Sequence, residues 1–292
     1  MNFRSITTAN NADGNFPAKA EPGVSVRWLI ASLALSMLLS SLGTSIANVG
    51  LPTLAQAFNA SFQLVQWVVL AYLLAITTLI VSVGRLGDMI GRRRLLLSGI
   101  MLFTAASIGC SVAPTLEWLI AARALQGLGA AIMMALTMAF VAEAVPKERT
   151  GSAMGLLGTM SAIGTAMGPS LGGLLIAGLG WRSLFYINLP LGVLAFVLAC
   201  FYLPEDRQTA NAHRKRFDVT GTVLLALTLA AYALAVTLGH GSFGLVNLGL
   251  LLMAFSIGGA FLLAQSKAES PLIPLAIFRQ STLRAGFIMS AL

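Results

Sequence analysis

The sequence predicts an all-helical integral membrane protein, and three observations lead to this fold class. Hydrophobic residues make up 57% of the 292-residue chain and charged residues 10%, whereas soluble domains carry roughly 25% charged residues. Apolar runs long enough to cross a membrane, which takes about 20 residues as a helix, recur along the sequence. These runs are continuously apolar and do not alternate as the strands of a membrane barrel do. We therefore expect a bundle of membrane-spanning α-helices.

Eight complete spans are predicted, separated by polar segments. They lie near residues 28–48, 64–84, 95–113, 117–142, 150–178, 184–203, 219–239 and 245–264. A ninth span begins around Arg284 and reaches only to Leu292.

The basic residues predict how these spans are oriented. All but two of the 18 lysines and arginines fall on the side of the membrane that carries the N-terminus. Arg182 lies on the other side, and Arg123 lies within a span. The positive-inside rule therefore predicts a cytoplasmic N-terminus in the plasma (inner) membrane. Because the net charge of +8 is explained by this distribution, we expect no nucleic-acid partner.

Polar segments divide the chain. Residues 1–26 lack an apolar core, so we expect a disordered cytoplasmic tail and no cleaved signal peptide. Residues 204–218 are interpreted as a basic cytoplasmic linker between a six-helix bundle, 27–203, and two additional helices, 219–265. Transporters often divide their halves in this way, although an incidental long loop is the alternative. Glu205 and Asp206 of this linker are expected to be solvated, and residues 266–292 are expected to form a cytoplasmic loop and the start of the ninth helix.

The segment GRLGDMIGRRR, residues 84–94, places dense charge between two apolar runs and is predicted to be a tight cytoplasmic hairpin. It contains three glycines, Gly84, Gly87 and Gly91. These glycines allow a tight turn and the close approach of another helix. Asp88 is suited to cap the N-terminus of a neighbouring helix, and Arg92 is expected to reach Glu143 near the end of the fourth span. Such a cluster can lock one conformation and release in another; the alternative is that the arginines only anchor the topology.

Polar residues inside the spans are the candidates for a substrate cavity. Arg123 lies more than one turn inside the fourth span, where an arginine costs about 2.5 kcal/mol or more without a polar partner or cavity. We predict that Arg123, with Gln126, lines a cavity where it binds substrate or modulates protonation; snorkelling to the outer interface is the alternative. Thr44 and Asn48 are four residues apart and share an inward face of the first span.

Glycines in the fifth span recur every four residues. Gly164, Gly168 and Gly172 therefore line one helix face and form a groove that admits another backbone. Pro169 is expected to add a kink on the same face. We interpret this groove as a tightly packed, moving interface between transporter halves; ordinary helix packing is the alternative.

The sequence lacks the motifs of nucleotide-binding proteins, hydrolases and metal sites. The GLG at 127–129 has no third glycine and no preceding strand, so it does not predict a dinucleotide site. No phosphate loop is present, and no nucleophile, base and acid are arranged as in a hydrolase. Cys110 and Cys200 lie in spans near opposite membrane faces, which argues against a disulfide or a metal site. We expect no enzyme activity, no catalytic residue, no cofactor and no metal.

Four segments resemble motifs of the major facilitator superfamily, in its fourteen-span drug:proton antiporter branch. They are residues 42–52, 84–94, 119–131 and 158–175. Positions that match the last two motifs are Arg123, Gln126, Gly127, Gly129, Gly168, Pro169, Gly172 and Gly173. The resemblance implies a major-facilitator-type N-terminal six-helix bundle, two linker helices and the start of a ninth. It also implies proton-coupled export of amphipathic, often cationic compounds through the lipid bilayer.

Two departures from this branch affect the expected function. The first-helix signature usually has an aspartate where this chain has Gly43, and that acid is a leading candidate for proton coupling. The chain is also too short for fourteen spans, so we expect a truncated protein that lacks the C-terminal bundle and cannot transport alone. The alternatives are a facilitator for another small solute, without proton coupling in the first helix, and a non-transporting truncated membrane protein.

Overall fold

The computed structural model describes residues 26–206, 218–237 and 244–267, which are helical between short turns. The helices are α1 (Val26–Ala57), α2 (Phe62–Ile90), α3 (Arg92–Ser111), α4 (Leu116–Ala144), α5 (Lys147–Leu179), α6 (Ser183–Tyr186), α7 (Asn188–Tyr202), α8 (Val219–Thr237) and α9 (Leu245–Lys267). Since α6 and α7 together make one span, Ser183–Tyr202, the described helices provide eight candidate membrane spans. The predicted all-helical membrane fold is confirmed. The ninth span, residues 1–25 of the tail and the interior of the linker lie outside the described residues.

The first two helices are longer than the hydropathy pattern predicted. Helix α1 continues past Pro52 to Ala57, and α2 continues through the charged residues to Ile90. A helix that leaves the hydrocarbon keeps its own backbone hydrogen bonds, so the appearance of charge marks the membrane boundary and not the helix end. The predicted hairpin is therefore a one-residue break at Gly91, whose φ is +105°. Gly84 is part of α2 and does not form the turn.

Contacts between helix termini define two ends of the bundle. At one end, which we call the basic end, the contacts join Arg92 with Glu143, Arg93 with Cys200, and Trp28 with Tyr202. At the opposite end the Phe58 and Trp181 rings pack with their centroids 5.2 Å apart. Spans that follow one another in the sequence thus run antiparallel, and the charged motif lies at the basic end.

Helix α1 lies at the centre of the first six spans and packs against α2, α4, α5 and α7. Two buried apolar clusters fill the space around it. The cluster nearer the basic end includes Leu33, Leu96 and Leu136, and the other includes Ile46, Leu54 and Leu119. Helix α8 packs against α2, and α9 packs against α8.

Candidate functional site

A charged cluster joins three helix termini at the basic end. Arg92, the first residue of α3, donates from Nη1 to Glu143 Oε2 at 2.6 Å, in the last turn of α4. Its Nη2 and Nε donate to Asp88 Oδ1 at 3.0 and 3.3 Å, in the last turn of α2. The predicted contact between Arg92 and Glu143 is thus present. Because these side chains are 34% and 64% exposed, the ion pair contributes at most about 1 kcal/mol of stability. It chiefly orients the ends of α2, α3 and α4.

Two glycines of the motif have different surroundings. A Cβ on Gly87 would lie 3.0 Å from Leu136 Cδ2 of α4 and 3.2 Å from Arg92 Cγ. Gly87 therefore allows α2 to approach α4 and leaves space for the aliphatic part of Arg92. A Cβ on Gly84 would meet no heavy atom of the described residues within 4 Å, so the expected close helix approach does not occur at Gly84.

Asp206 caps the start of α3, although the sequence suggested a solvated side chain. Its Oδ1 accepts from the Arg93 backbone N–H at 2.8 Å and its Oδ2 from that of Arg94 at 3.2 Å. Gly91, the N-cap residue, has no side chain to serve these N–H groups, and a Cβ there would collide with the Asp206 carboxylate. The glycine is therefore needed both for its positive φ and for the approach of the carboxylate. One sequence signal points to this cap: α3 begins after Gly91, which has no side chain that could cap the helix.

Arg93 links the end of α7 to the start of α3. Its Nη2 donates to the Cys200 carbonyl oxygen at 2.6 Å, where carbonyl groups of a helix C-terminus attract a cation. Its Nη1 lies 3.7 Å from Glu205 Oε1, whose side chain is 94% exposed. Arg93 therefore does more than anchor the topology.

Replacing Asp206 with alanine is expected to lower the stability of the bundle, because two N–H groups at the start of α3 lose their acceptor. Loss of such a cap costs about 0.5–2 kcal/mol. The thermal midpoint of the purified chain in detergent measures this effect. Glu205→Ala is the matched control, since it removes a neighbouring carboxylate that is almost fully exposed. Equal midpoints for the two variants would contradict the capping role.

A second polar site surrounds Arg123 inside the bundle. The side chain is fully buried. Its Nε donates to the Val68 carbonyl oxygen at 3.0 Å and its Nη1 to Gln126 Oε1 at 2.6 Å. Gln126 in turn donates to Ser107 Oγ at 2.7 Å, and the guanidinium carbon lies 4.0 Å from the centre of the Tyr72 ring. A carbonyl dipole, an amide and an aromatic face therefore stabilise a cation in a low-dielectric interior.

Burial bears on the predicted cavity position of Arg123 and Gln126, whereas their role in binding substrate or modulating protonation stays a prediction. Both side chains are fully buried, so neither lines an open cavity among the described residues, and Arg123 does not snorkel to the surface. The partners come from α2, α3 and α4, and the sequence offered no signal for Tyr72 or Ser107 because spacing along one helix does not show which residues another helix presents.

Gly43 lies beside this cluster. A Cβ at position 43 would be 3.2 Å from the Tyr72 hydroxyl oxygen and 3.2 Å from Phe103 Cζ. The Tyr72 hydroxyl donates to the Ser40 carbonyl oxygen at 2.7 Å. The position that carries an aspartate in the resembled branch therefore adjoins the tyrosine that stacks on Arg123.

Thr44 and Asn48 share a face of α1, as their spacing predicts. Thr44 is half-buried and Asn48 is exposed. Their side chains donate to carbonyl groups one turn earlier, at 3.1 Å to Ser40 and 3.4 Å to Thr44.

The glycine groove of α5 is occupied by α1. A Cβ on Gly164 would lie 2.7 Å from the Leu38 carbonyl oxygen, and one on Gly172 would lie 3.2 Å from Ile46 Cγ1. A Cβ on Gly168 would collide with Ser45. The groove therefore packs within one bundle, and the prediction that these glycines form an interface between transporter halves is wrong.

Hydrogen bonds reinforce the packing of α1 on α5. The hydroxyls of Ser41 and Ser161 are 2.7 Å apart, and Ser45 Oγ donates to the Thr165 carbonyl oxygen at 2.7 Å. Pro169 and Gly173 are exposed and do not share the buried face, because each residue advances about 100° around a helix. The expectation that Pro169 lies on the groove face is therefore wrong.

Comparisons with known proteins are consistent with this architecture. Multidrug resistance protein Stp of Mycobacterium tuberculosis is 36% identical over 258 residues, which cover 87% of this chain and 47% of Stp. Riboflavin transporter RibZ of Clostridioides difficile is 33% identical over 264 residues, which cover 90% of this chain and 57% of RibZ. The chain thus spans about half the length of these curated relatives.

A solved structure shares the fold. It is a bacterial homologue of the human lysosomal transporter Spinster, in an inward-facing and occupied conformation, with a TM-score of 0.56 and 18% identity. The match covers 85% of this chain and 63% of that chain. The family model of the Major Facilitator Superfamily matches residues 33–292. With eight apolar helices and this match, the chain is a multi-pass membrane protein that belongs to the major facilitator superfamily, a family of transporters and not of enzymes.

Proposed function

We propose that this chain takes part in proton-driven export of small amphipathic, often cationic compounds across the plasma membrane. The observation that carries the proposal is the 36% identity to a multidrug resistance protein over 87% of the chain. Because Stp is about twice as long as the matched region, transport is proposed for a protein that also contains the remainder of a Stp-like chain. Because nearly all basic residues lie on one side of the predicted membrane, the positive-inside rule supports a cytoplasmic position for the N-terminus and the basic end.

Within this function, the charged cluster is proposed to act as a conformational lock. Arg92 links Asp88 and Glu143 and so joins the ends of α2, α3 and α4. An exposed ion pair of this kind is easily broken when helix ends separate. Gly87 and Gly91 support the lock by allowing the close approach of α4 and of Asp206. Alternating access then makes the cluster in one state and breaks it in the other.

A facilitator without proton coupling is the second candidate, and Gly43 favours it. The described spans carry no acidic residue in their middle: in α4, Glu117 lies in the first turn, and Glu143 lies in the last. RibZ, at 33% identity, is named as a riboflavin transporter, so relatives of this chain handle more than one class of solute. Under this candidate, Thr44 and Asn48 contact solute, and the fully buried Arg123 and Gln126 hold α2, α3 and α4 together.

Dye transport in everted vesicles distinguishes the two candidates. The test protein joins this chain, through Lys267, to the remainder of Stp, and the fluorescent cation ethidium serves as the substrate. Antiport predicts accumulation of ethidium against its gradient when the vesicle interior is acidified, and loss of this accumulation when a protonophore is added. A facilitator only equilibrates the dye, with or without the pH gradient.

Intact Stp in matched vesicles serves as the positive control. Ethidium movement by Stp and none by an equally abundant, folded test protein would contradict the proposed transport of ethidium-like cations. Riboflavin offered to the same vesicles then tests the second candidate.

A further inference from the structure

Helices α8 and α9 form a hairpin that side chains close at both ends. Next to the start of α8, Asp218 Oδ1 accepts from the Gly221 N–H at 2.7 Å, and its Oδ2 accepts from Gln265 Nε2 at 2.6 Å. Gln265 lies in the last turns of α9 and is 2% exposed. At the other end, Asn247 Nδ2 donates to the Ala235 carbonyl oxygen at 2.6 Å. Two buried amides thus tie α8 to α9, so the hairpin behaves as one unit.

The hairpin meets the bundle through α8, which packs against α2. Within this contact the hydroxyl oxygens of Ser82 and Thr222 are 2.9 Å apart. Thr222 Oγ1 also lies 2.9 Å from the Asp218 carbonyl oxygen; when Thr222 donates to that carbonyl, Ser82 donates to Thr222. Ser82 is fully buried. This hydroxyl pair is a direct polar link between the hairpin and α2.

The same helix carries this link and the charged cluster. Helix α2 is unbroken from Ser82 to Ile90, so Asp88 lies six residues, or about 9 Å along the axis, beyond the link. A helix transmits rotation and translation along its length, because its backbone hydrogen bonds hold consecutive turns together. A shift of α2 at Ser82 would therefore move Asp88 relative to Arg92 and Glu143.

We propose that Ser82 and Thr222 are positioning residues, through which the α8–α9 hairpin sets the register of α2 and so the geometry of the charged cluster. Helix α4 holds α2 from one side at Gly87, and the hairpin holds it from another at Ser82. The relevance of this restraint to transport rests on the proposed lock function. The restraint itself can be measured in this chain without transport. It assigns the two helices that follow the linker a role in orienting the cluster.

Electron paramagnetic resonance distance measurements test this restraint without any transport assay. Spin labels are placed on Met89→Cys and Ala142→Cys, which are exposed positions in the last turns of α2 and α4, in the full chain carrying Cys110→Ala and Cys200→Ser. With Ser82 and Thr222 present, we expect one narrow distance distribution. In Ser82→Ala or Thr222→Val, a second distance population should rise to about a tenth of the molecules or more.

Matched variants separate positioning from general loosening. Thr222→Ser retains the hydroxyl and should give the original distribution. Thr228→Val removes the same group from the same helix, but among the described residues that hydroxyl bonds to the Leu224 carbonyl oxygen of α8 itself, so the original distribution is expected again. The double variant Ser82→Ala/Thr222→Val should match either single variant, because both remove one contact.

The proposal is overturned if Ser82→Ala and Thr222→Val leave the distribution unchanged in folded protein. It is also overturned if Thr228→Val has the same effect or if the two single effects add. Size-exclusion profiles of each labelled variant establish that the protein is folded. Failure of ethidium transport with the expected distances would count against the proposed function and leave this inference intact.

Discussion

A valine in place of Gly164 is expected to destabilise the helix bundle. The new Cβ would lie 2.7 Å from the Leu38 carbonyl oxygen and 3.1 Å from the Leu42 backbone nitrogen. These are backbone atoms of α1, the central helix, so no side-chain rotation can relieve the contact. Helices α1 and α5 must then separate. Overpacking of this kind costs about 1–3 kcal/mol, and the separation also strains the bond between Ser41 and Ser161.

Thermal midpoint and the monodisperse fraction after detergent extraction measure this effect. Gly173→Val is the matched control, because it makes the same change on the same helix where no heavy atom of the described residues lies within 4 Å of the new Cβ. The free energy of unfolding of Gly173→Val should differ from that of the unmodified chain by only a few tenths of a kcal/mol, the difference in helix propensity between glycine and valine. Its thermal midpoint should therefore hardly change. If Gly164→Val and Gly173→Val were equally stable, the close packing of α1 on α5 would be disproved.

Neutralising Glu143 or Arg92 is expected to reduce transport strongly while changing stability little. In the joined test protein, Glu143→Gln and Arg92→Gln should each lower ethidium transport by about 5- to 150-fold, the range of a conformational coupling of 1–3 kcal/mol. The thermal midpoint should hardly change, because an exposed ion pair contributes only about 0–1 kcal/mol. The two effects differ because the cluster acts on the balance between two folded conformations.

The control for this prediction is Glu148→Gln, which removes a carboxylate from the first turn of α5, near the same end of the bundle. It should transport as the unmodified test protein does. The double variant Arg92→Gln/Glu143→Gln should lose no more activity than the single variants, since the residues act as a pair. A fall in thermal midpoint that parallels the loss of transport would show that the cluster is structural and not a lock.

Several features of the charged cluster follow from sequence, and others do not. The contact between Arg92 and Glu143 could be predicted because both residues lie at the same ends of adjacent spans. Asp206 could not be assigned as the cap of α3, because it lies 113 positions from Arg93 and only folding brings the end of α7 there. Similarly, the four-residue repeat of Gly164, Gly168 and Gly172 predicts a groove but does not identify α1 as the helix that fills it.

For Arg123, too, one feature follows from the sequence and another only from the structure. The cost of burying a charge predicted that it would face inward, and the structure places it there. Its partner Val68 and the Ser107 hydroxyl that accepts from Gln126 belong to other helices, and Tyr72 lies in an apolar run with no periodic signal. Whether such an arginine faces a cavity or is enclosed by neighbouring helices depends on the packing of α2, α3 and α4.

Local sequence was enough to predict that this chain crosses a membrane as helices, how many complete spans its described residues contain, and which helix ends are basic. Those properties depend on local hydropathy and on the energy of transferring each segment into lipid. The tertiary structure alone decided which helix fills the glycine groove, which carboxylate caps α3, and how the α8–α9 hairpin meets α2. These depend on side chains far apart in sequence, whose contacts are specified by shape and hydrogen bonding between helices because lipid makes apolar faces nearly equivalent.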